Sequence, residues 1–360
     1  MKRMKLAHQD EGDIRNALLA WFRRNARSLP WRTSREPYAV WVSEVMLQQT
    51  QVATVIPYYK RFLGAFPTVT DLARAPLERV LELWSGLGYY RRARHMHQAA
   101  KELVSRFTGV FPHDYTQIRS LPGIGDYTAR AVLSIAFGLP YTLLDGNVAR
   151  VLSRLAALEG NLHQGGFRRA VEAQLDRLLS RRRPGNFNQA LMELGQTVCL
   201  PRVPRCVACP VRSWCQGFRG GNPEVFPQPR PRRAAESHYL AAAVLRRGAR
   251  VALVRGLDDG LLGDLWNFPS AFGRSRVEAL DGLRDKLAGF GFPSLILEDF
   301  SAELHHGITF RSICVHAYPA EIPNVSRKKG LRWFTISRLQ RAAISQLARK
   351  IAQRVFEFKA

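Results

Sequence analysis

Four of the five cysteines fall in one short stretch, Cys199, Cys206, Cys209 and Cys215, with spacing C-x6-C-x2-C-x5-C, while Cys314 stands apart. Cysteines clustered like this point to a metal site. Structural zinc usually pairs its ligands in short hairpins with about two to four residues inside each, and only the middle gap here is that short. Four cysteines on one compact loop also suit an iron–sulfur cube. Iron–sulfur is therefore the first choice, with zinc or unligated thiols as alternatives. Arg202, Arg205 and Arg212 lie inside the same stretch. They make it either a solvated loop or a metal-pinned basic finger for phosphates.

Two carboxylates stand in contexts that suit acid–base work. Glu44 lies within Trp41-Val42-Ser43-Glu44-Val45-Met46-Leu47-Gln48-Gln49, where helical spacing sets 41, 44, 45 and 48 on one face. Burial among such neighbours raises a carboxyl pKa and prepares it to act as a general acid near neutral pH. Asp145 precedes Gly146-Asn147 at the start of a helical pattern, so by itself it reads first as an N-cap. Between them lies Leu121-Pro122-Gly123-Ile124-Gly125. Gly123 and Gly125 permit a tight turn whose backbone N–H groups, at the start of the next helix, can hold a phosphate.

These residues sit in a chain of 360 residues with 54 Lys plus Arg against 29 Asp plus Glu, a formal charge of +25. A globular protein this basic points to a polyanionic partner. No stretch approaches the ~18 continuous apolar residues of a membrane span. The first residues lack the apolar core of a secretory signal, and a monomer is expected in the cytoplasm, nucleoid-associated if the source is bacterial. Apolar periodicity predicts helices through most of residues 13–220, among them 40–49, 56–66, 91–107, 128–137, 146–158 and 187–198. Residues 1–216 form the first expected domain. A basic Gly/Pro/Arg linker follows over 217–237. Residues 238–360 change to an α+β pattern, with a hairpin signal at Gly248, strand-like SICVHAYPA and LRWFTI, and helices predicted over 276–287 and 339–356.

Taken together the motifs LPWR (29–32), WVSEVMLQQTQVATVIPYY (41–59), WSGLGYYRRAR (84–94), LPGIGDYTARAVLSIAFG (121–138), LLDGNVARVLSR (143–154) and NFNQALMELGQTVC (186–199), with the cysteine loop, make the chain recognisable. It resembles the adenine DNA glycosylases of the MutY type, in the helix-hairpin-helix and iron–sulfur superfamily that includes endonuclease III. The resemblance implies a mainly α N-terminal domain, with a six-helix barrel module carrying the hairpin and a helical module carrying a [4Fe-4S] cluster. It implies a Nudix-like α+β C-terminal domain that lacks the acidic Nudix helix and is not expected to hydrolyse nucleotides. The implied substrate is double-stranded DNA with adenine opposite 8-oxoguanine or guanine.

By the same resemblance Glu44 protonates the adenine, and Asp145 stabilises the positive sugar. Tyr127 and Asn147 support them, and Trp31, Arg32 and Gln189 line the adenine pocket. Gln48, Gln49 and Tyr89 wedge into the duplex or touch the orphaned base, while Gly123, Gly125, Arg202 and Arg205 face the DNA backbone. In bifunctional relatives a lysine stands at the position of Tyr127, and in some MutY proteins another stands at that of Ala149. Tyrosine forms no Schiff base, so a monofunctional enzyme is expected. The opposite-base loop departs from the family's Phe-Ser-His: here His306-Gly307 is followed by Ile308-Thr309-Phe310. Thr309 keeps a hydroxyl, but Phe310 does not donate as histidine does. A mismatch thymine glycosylase and a non-catalytic DNA-binding relative are the rival readings.

Overall fold

A computed structural model describes residues 8–229, 234–257, 265–297, 299–308, 310–322, 330–340 and 342–356. By its contacts the chain divides into two compact units, Met1–Arg74 with His95–Pro231, and Ala75–Arg94 with Arg232–Ala360. Residues 75–94 thus group with the C-terminal unit, although their sequence continues the helical pattern of the first. Among the described residues no helix is long and apolar enough to cross a membrane.

In chain order the helices of the first part are α1 (His8–Asn25), α2 (Pro37–Leu47), α3 (Val52–Ala65), α4 (Val69–Arg74), α5 (Leu77–Trp84), α6 (Arg91–Phe107), α7 (Tyr115–Arg119), α8 (Asp126–Ile135), α9 (Gly146–Leu155), α10 (Gly165–Leu178), α11 (Pro184–Thr197) and α12 (Gln216–Arg219). Helix α2 is started by Pro37 and by Glu36, whose carboxylate accepts from the Ala39 N–H at 3.0 Å. It is buried without a break from Tyr38 to Met46, which explains why its sequence is apolar all round. One core joins α1, α9, α10 and α11 through Ile14, Leu18, Val148, Leu152, Val171, Leu175, Phe187 and Leu191. The cysteine loop packs on that core.

The predicted helix 40–49 stops at Leu47. Gln48 is its C-cap, with a helical φ of −57 but ψ 112, and Gln49 has φ 56, so the chain leaves the helix after Gln48. The helix predicted from Ile56 begins earlier, at Val52.

The second unit contains β1 (Glu236–Arg247), β2 (Arg250–Arg255), β3 (Trp266–Asn267), β4 (Ser270–Gly273), α13 (Arg276–Gly289), β5 (Ala302–Ile308), β6 (Arg311–Glu321), β7 (Arg332–Thr335) and α14 (Gln346–Val355). The sheet runs β3-β2-β1-β6-β5, with β4 also on β1 and β7 on β2. Strands β1 and β6 are parallel, and the other pairs are antiparallel. Gly248, at φ 54, turns β1 into β2, as its hairpin signal predicts. One sheet face packs on α13 through Leu283 and Leu287, the other on α14 through Leu347 and Ile351. This α+β architecture matches the expected class. The helix predicted over 339–356 is only half helix: Ile344 bridges to Trp266, and Ser345 then caps α14 through the Ala348 N–H at 2.9 Å.

Candidate active site

In the first unit, a cleft of about 1220 Å³ is lined by Trp31, Arg32, Glu44, Gln48, Gln49, Gly123, Gly125, Tyr127, Asp145, Asn147 and Gln189. Eleven residues singled out in the sequence therefore converge there, in a space large enough for a nucleotide and its flanking backbone. Glu44 enters from α2 and is 8% exposed. Burial pushes its carboxyl up to about 7, helped by the charge of Asp145 and opposed by the Tyr127 hydroxyl and the Arg32 guanidinium. The Tyr127 hydroxyl hydrogen-bonds Glu44 and also lies 3.2 Å from Met192 Sδ. A carboxylate is the stronger acceptor, so the phenol proton goes to Glu44 when that group is ionised. Burial and the two nearby carboxylates hold the phenol itself well above its ordinary pKa, which keeps it a donor.

Asp145 is both a cap and a member of this site. Its Oδ1 accepts from the Val148 N–H at 2.7 Å and its Oδ2 from Asn147 Nδ2 at 2.9 Å. It thus sits at the positive end of α9 with both oxygens oriented. Asn147 is in turn held by Arg150, whose guanidinium donates to Asn147 Oδ1 at 2.9 Å, to the Gly195 carbonyl at 2.8 Å and to the Cys199 carbonyl at 2.9 Å. A continuous hydrogen-bonded path therefore runs from Asp145 to the first cysteine. It depends on close approach of α9 and α11: a Cβ on Gly195 would meet Asn147 Cβ at 2.7 Å.

Arg32 owes its place to a residue the sequence reading missed. The Glu193 side chain is fully buried and accepts from Arg32 at 2.8 Å and from Arg27, bidentately, at 2.6 and 2.8 Å. Burial would raise Glu193, but the two guanidiniums outweigh it and hold the carboxyl at about 2. Trp31 is packed edge-on against Tyr59 at 5.4 Å between centroids. Gln189 is steadied from α11 by the Gly185 carbonyl at 3.3 Å.

The hairpin has the backbone its glycines predict. Gly123 has φ 72, and a Cβ there would lie 2.4 Å from His95 Cβ, so only glycine fits. Gly125 is the N-cap of α8 with no side-chain cap, which leaves first-turn N–H groups for a phosphate. Gln48 is tied to α8 by its amide to Thr128 Oγ1 at 3.2 Å. Gln49 (φ 56) and, in the other unit, Tyr89 (φ 48 and 55% exposed) hold left-handed backbones. Each costs on the order of 1–3 kcal/mol for a non-glycine residue. Ala149 is buried.

Cys199, Cys206, Cys209 and Cys215 line one pocket with Arg154, Val151, Leu155 and Leu194. Arg154 is buried and binds the loop from inside, donating to the carbonyls of Leu200 (2.6 Å), Pro201 (2.8 Å) and Phe226 (2.9 Å). Four sulfurs around one zinc would stand about 3.8 Å apart, given Zn–S of about 2.3 Å and tetrahedral geometry. Among the described residues, no three of these cysteines bring their sulfurs within 4.8 Å of one another. Sulfurs that share a pocket but are more widely spaced fit the corners of a cube better than one ion. As free thiols Cys206, Cys209 and Cys215 would be poorly ionised, since burial pushes all three up, Cys209 to about 12. Arg202 and Arg205 project from the loop into solvent.

In the second unit His306 is half-buried, and burial together with Lys350 lowers its pKa. The Phe310 carbonyl accepts from the Glu236 N–H at 3.0 Å. Thr309 lies outside the described residues.

Residues 42–177 match the family model of the HhH-GPD superfamily base excision DNA repair proteins. The chain is 35% identical to the adenine DNA glycosylase of Homo sapiens over 94% of its own length and 73% of that protein's. It is 29% identical to that of Buchnera aphidicola subsp. Acyrthosiphon pisum over 93% of its own length and 95% of that protein's. Among solved structures, a thermostable thymine-DNA glycosylase (TM-score 0.53) and an endonuclease III–DNA complex (TM-score 0.51), each 24% identical, cover 59% and 60% of this chain. They share the fold of the helical part. With the paired carboxylates, the glycine hairpin and the cysteine loop in place, and with relatives aligned through both units, the chain belongs to the adenine DNA glycosylase family.

Proposed function

We propose that this DNA glycosylase hydrolyses the N-glycosidic bond of adenine mispaired with 8-oxoguanine or guanine in duplex DNA and leaves an abasic site without cutting the strand. The observation that carries this reading is Glu44: a buried carboxyl pushed to about 7 in the same cleft as Asp145. Two carboxylates in unlike environments take unlike roles, one as proton donor and one as negative partner of a developing cation.

The flipped adenine enters the space among Trp31, Arg32 and Gln189. Glu44 gives its proton to N7, so the base departs neutral with the electron pair of the broken bond. Asp145, oriented by Asn147 and the α9 N-terminus, faces the positive charge that builds on the sugar. Water then bonds through its oxygen to the cationic sugar carbon and releases one proton to solvent, which completes the abasic sugar. Tyr127 steadies Glu44 and offers no amine for a Schiff base. The four cysteines would hold a [4Fe-4S] cluster, which supplies a rigid centre for the loop bearing Arg202 and Arg205. Gln49 and Tyr89, on strained backbones, would meet the duplex, and His306, Thr309 and Phe310 the opposite base.

The thymine reading is disfavoured by extent: the thymine-DNA glycosylase structure matches 59% of the chain, whereas adenine relatives align over 94%. The test is the product. On an A:8-oxoguanine duplex the strand should break only after alkali, with little borohydride-trapped complex. Strand cleavage without alkali, with efficient trapping, would show that another amine serves and would overturn the monofunctional assignment.

A further inference from the structure

The antiparallel pair β5–β6 carries side chains that adenine excision does not use. Its register sets Glu303 opposite His316 and His305 opposite Cys314. Alternation puts all four on one face of the sheet, together with Tyr239, which lies level with Cys314 on β1. A carboxylate oxygen of Glu303, Cys314 Sγ and a ring nitrogen of His316 all lie within 4.8 Å of one another. His316 is 4% exposed and fixed in place, stacked with Tyr239 at 6.4 Å and edge-on to Phe300 at 4.9 Å. Its Nε2 is 3.2 Å from Glu303 Oε2. Cys314 is half-buried and Glu303 is exposed, so the group has a rigid floor and an open mouth.

The donor types decide which ion would suit. Calcium and magnesium take oxygen ligands, whereas thiolate, imidazole and carboxylate together are a zinc-type set. Among the described residues no other group of three or more His, Cys, Asp or Glu brings its ligand atoms this close. We infer that Glu303, Cys314 and His316 form a zinc site separate from the cysteine loop, with His305 placed by register to supply a fourth ligand on rotation of its side chain. Strand β5 runs directly from this site through His306 to Ile308, which pairs with Arg311 at the start of β6. An ion here would therefore brace the hairpin that the reading above assigns to the opposite base. That consequence rests on that reading, but the binding of zinc does not.

The test uses full-length protein with its iron content measured, stripped of loosely bound metal and titrated with Zn²⁺ against a chromophoric chelator. One zinc per chain should bind in addition to the cluster iron. Cys314→Ala should weaken it by more than about 100-fold, beyond the loss of an outer-shell partner, with iron content unchanged. Because His316 is buried and its replacement endangers the fold, the second variant is the exposed Glu303→Gln, which should weaken zinc by about tenfold or more. Zn²⁺ but not Mg²⁺ should slow alkylation of Cys314. Equal zinc binding by the unaltered protein and both variants would overturn the site. So would the absence of tight zinc from the unaltered protein, leaving Glu303 and His316 an ordinary hydrogen-bonded pair beside a thiol.

Discussion

The pH dependence of excision follows from the surroundings of Glu44. Its role requires the protonated form, and burial sets its carboxyl at about 7. Single-turnover excision should therefore be flat at acid pH and fall as pH rises through about 7. Two pH units above the midpoint about one carboxyl in a hundred still carries its proton, so the rate at pH 9 should lie about 50-fold below that at pH 7. The neighbours then supply a perturbation with a fixed sign. The Tyr127 hydroxyl lowers the Glu44 pKa by hydrogen-bonding its charged form. Tyr127→Phe removes that stabilisation and leaves the site drier, so the falling limb should move to higher pH. A net hydrogen bond of about 1–1.5 kcal/mol corresponds to about one pH unit. The assay is single-turnover excision on an A:8-oxoguanine duplex from pH 5.5 to 9.5, scored by the midpoint of the limb and not by the absolute rate. A rate independent of pH across that range, or a limb that moves to lower pH in Tyr127→Phe, would refute the reasoning.

Two further outcomes follow from the same geometry. Glu193→Gln should lower stability by about 2–4 kcal/mol, because it leaves the guanidiniums of Arg27 and Arg32 without a buried counter-charge, and should weaken substrate capture as Arg32 loses its anchor; thermal melts and duplex affinity measure the two parts, and an unchanged melting temperature would contradict it. The purified protein should contain about four irons per chain, and Cys209→Ser should reduce iron and soluble yield more than the chemical step, whereas one zinc on the cysteine loop and no iron would refute the cluster.

The parts of the site that were legible in the sequence were those whose signal is local. The cysteine spacing marks a ligand loop whatever surrounds it, and the apolar run around Glu44 announces a buried carboxyl. Asp145 was half legible, because a cap and a cleft carboxylate look alike until the Val148 and Asn147 contacts are seen. Glu193 was hidden, since one acid in an amphipathic helix carries no mark of partners more than 160 residues away. The end of α2 was set two residues late because periodicity does not register the break in helical geometry at Gln48 and the left-handed Gln49 that follows. Residues 75–94 read as part of the helical run. Their grouping with the second unit depends on long-range hydrogen bonds, such as Arg349 to Ser85 at 2.6 Å and Ser85 to the Ala342 carbonyl at 3.3 Å. In the second unit SICVHAYPA was legible as a strand, but its register with Glu303 and His305 was not, and that register creates the proposed zinc group.

The central claim is that a proton from Glu44 drives adenine excision. Its most direct test is the single-turnover rate of Glu44→Gln on an A:8-oxoguanine duplex, with binding to the same duplex measured alongside. Glutamine preserves shape and has no proton to give, so binding should be retained while excision falls by about 10²–10⁴-fold or more. Near-normal excision by Glu44→Gln would contradict the account.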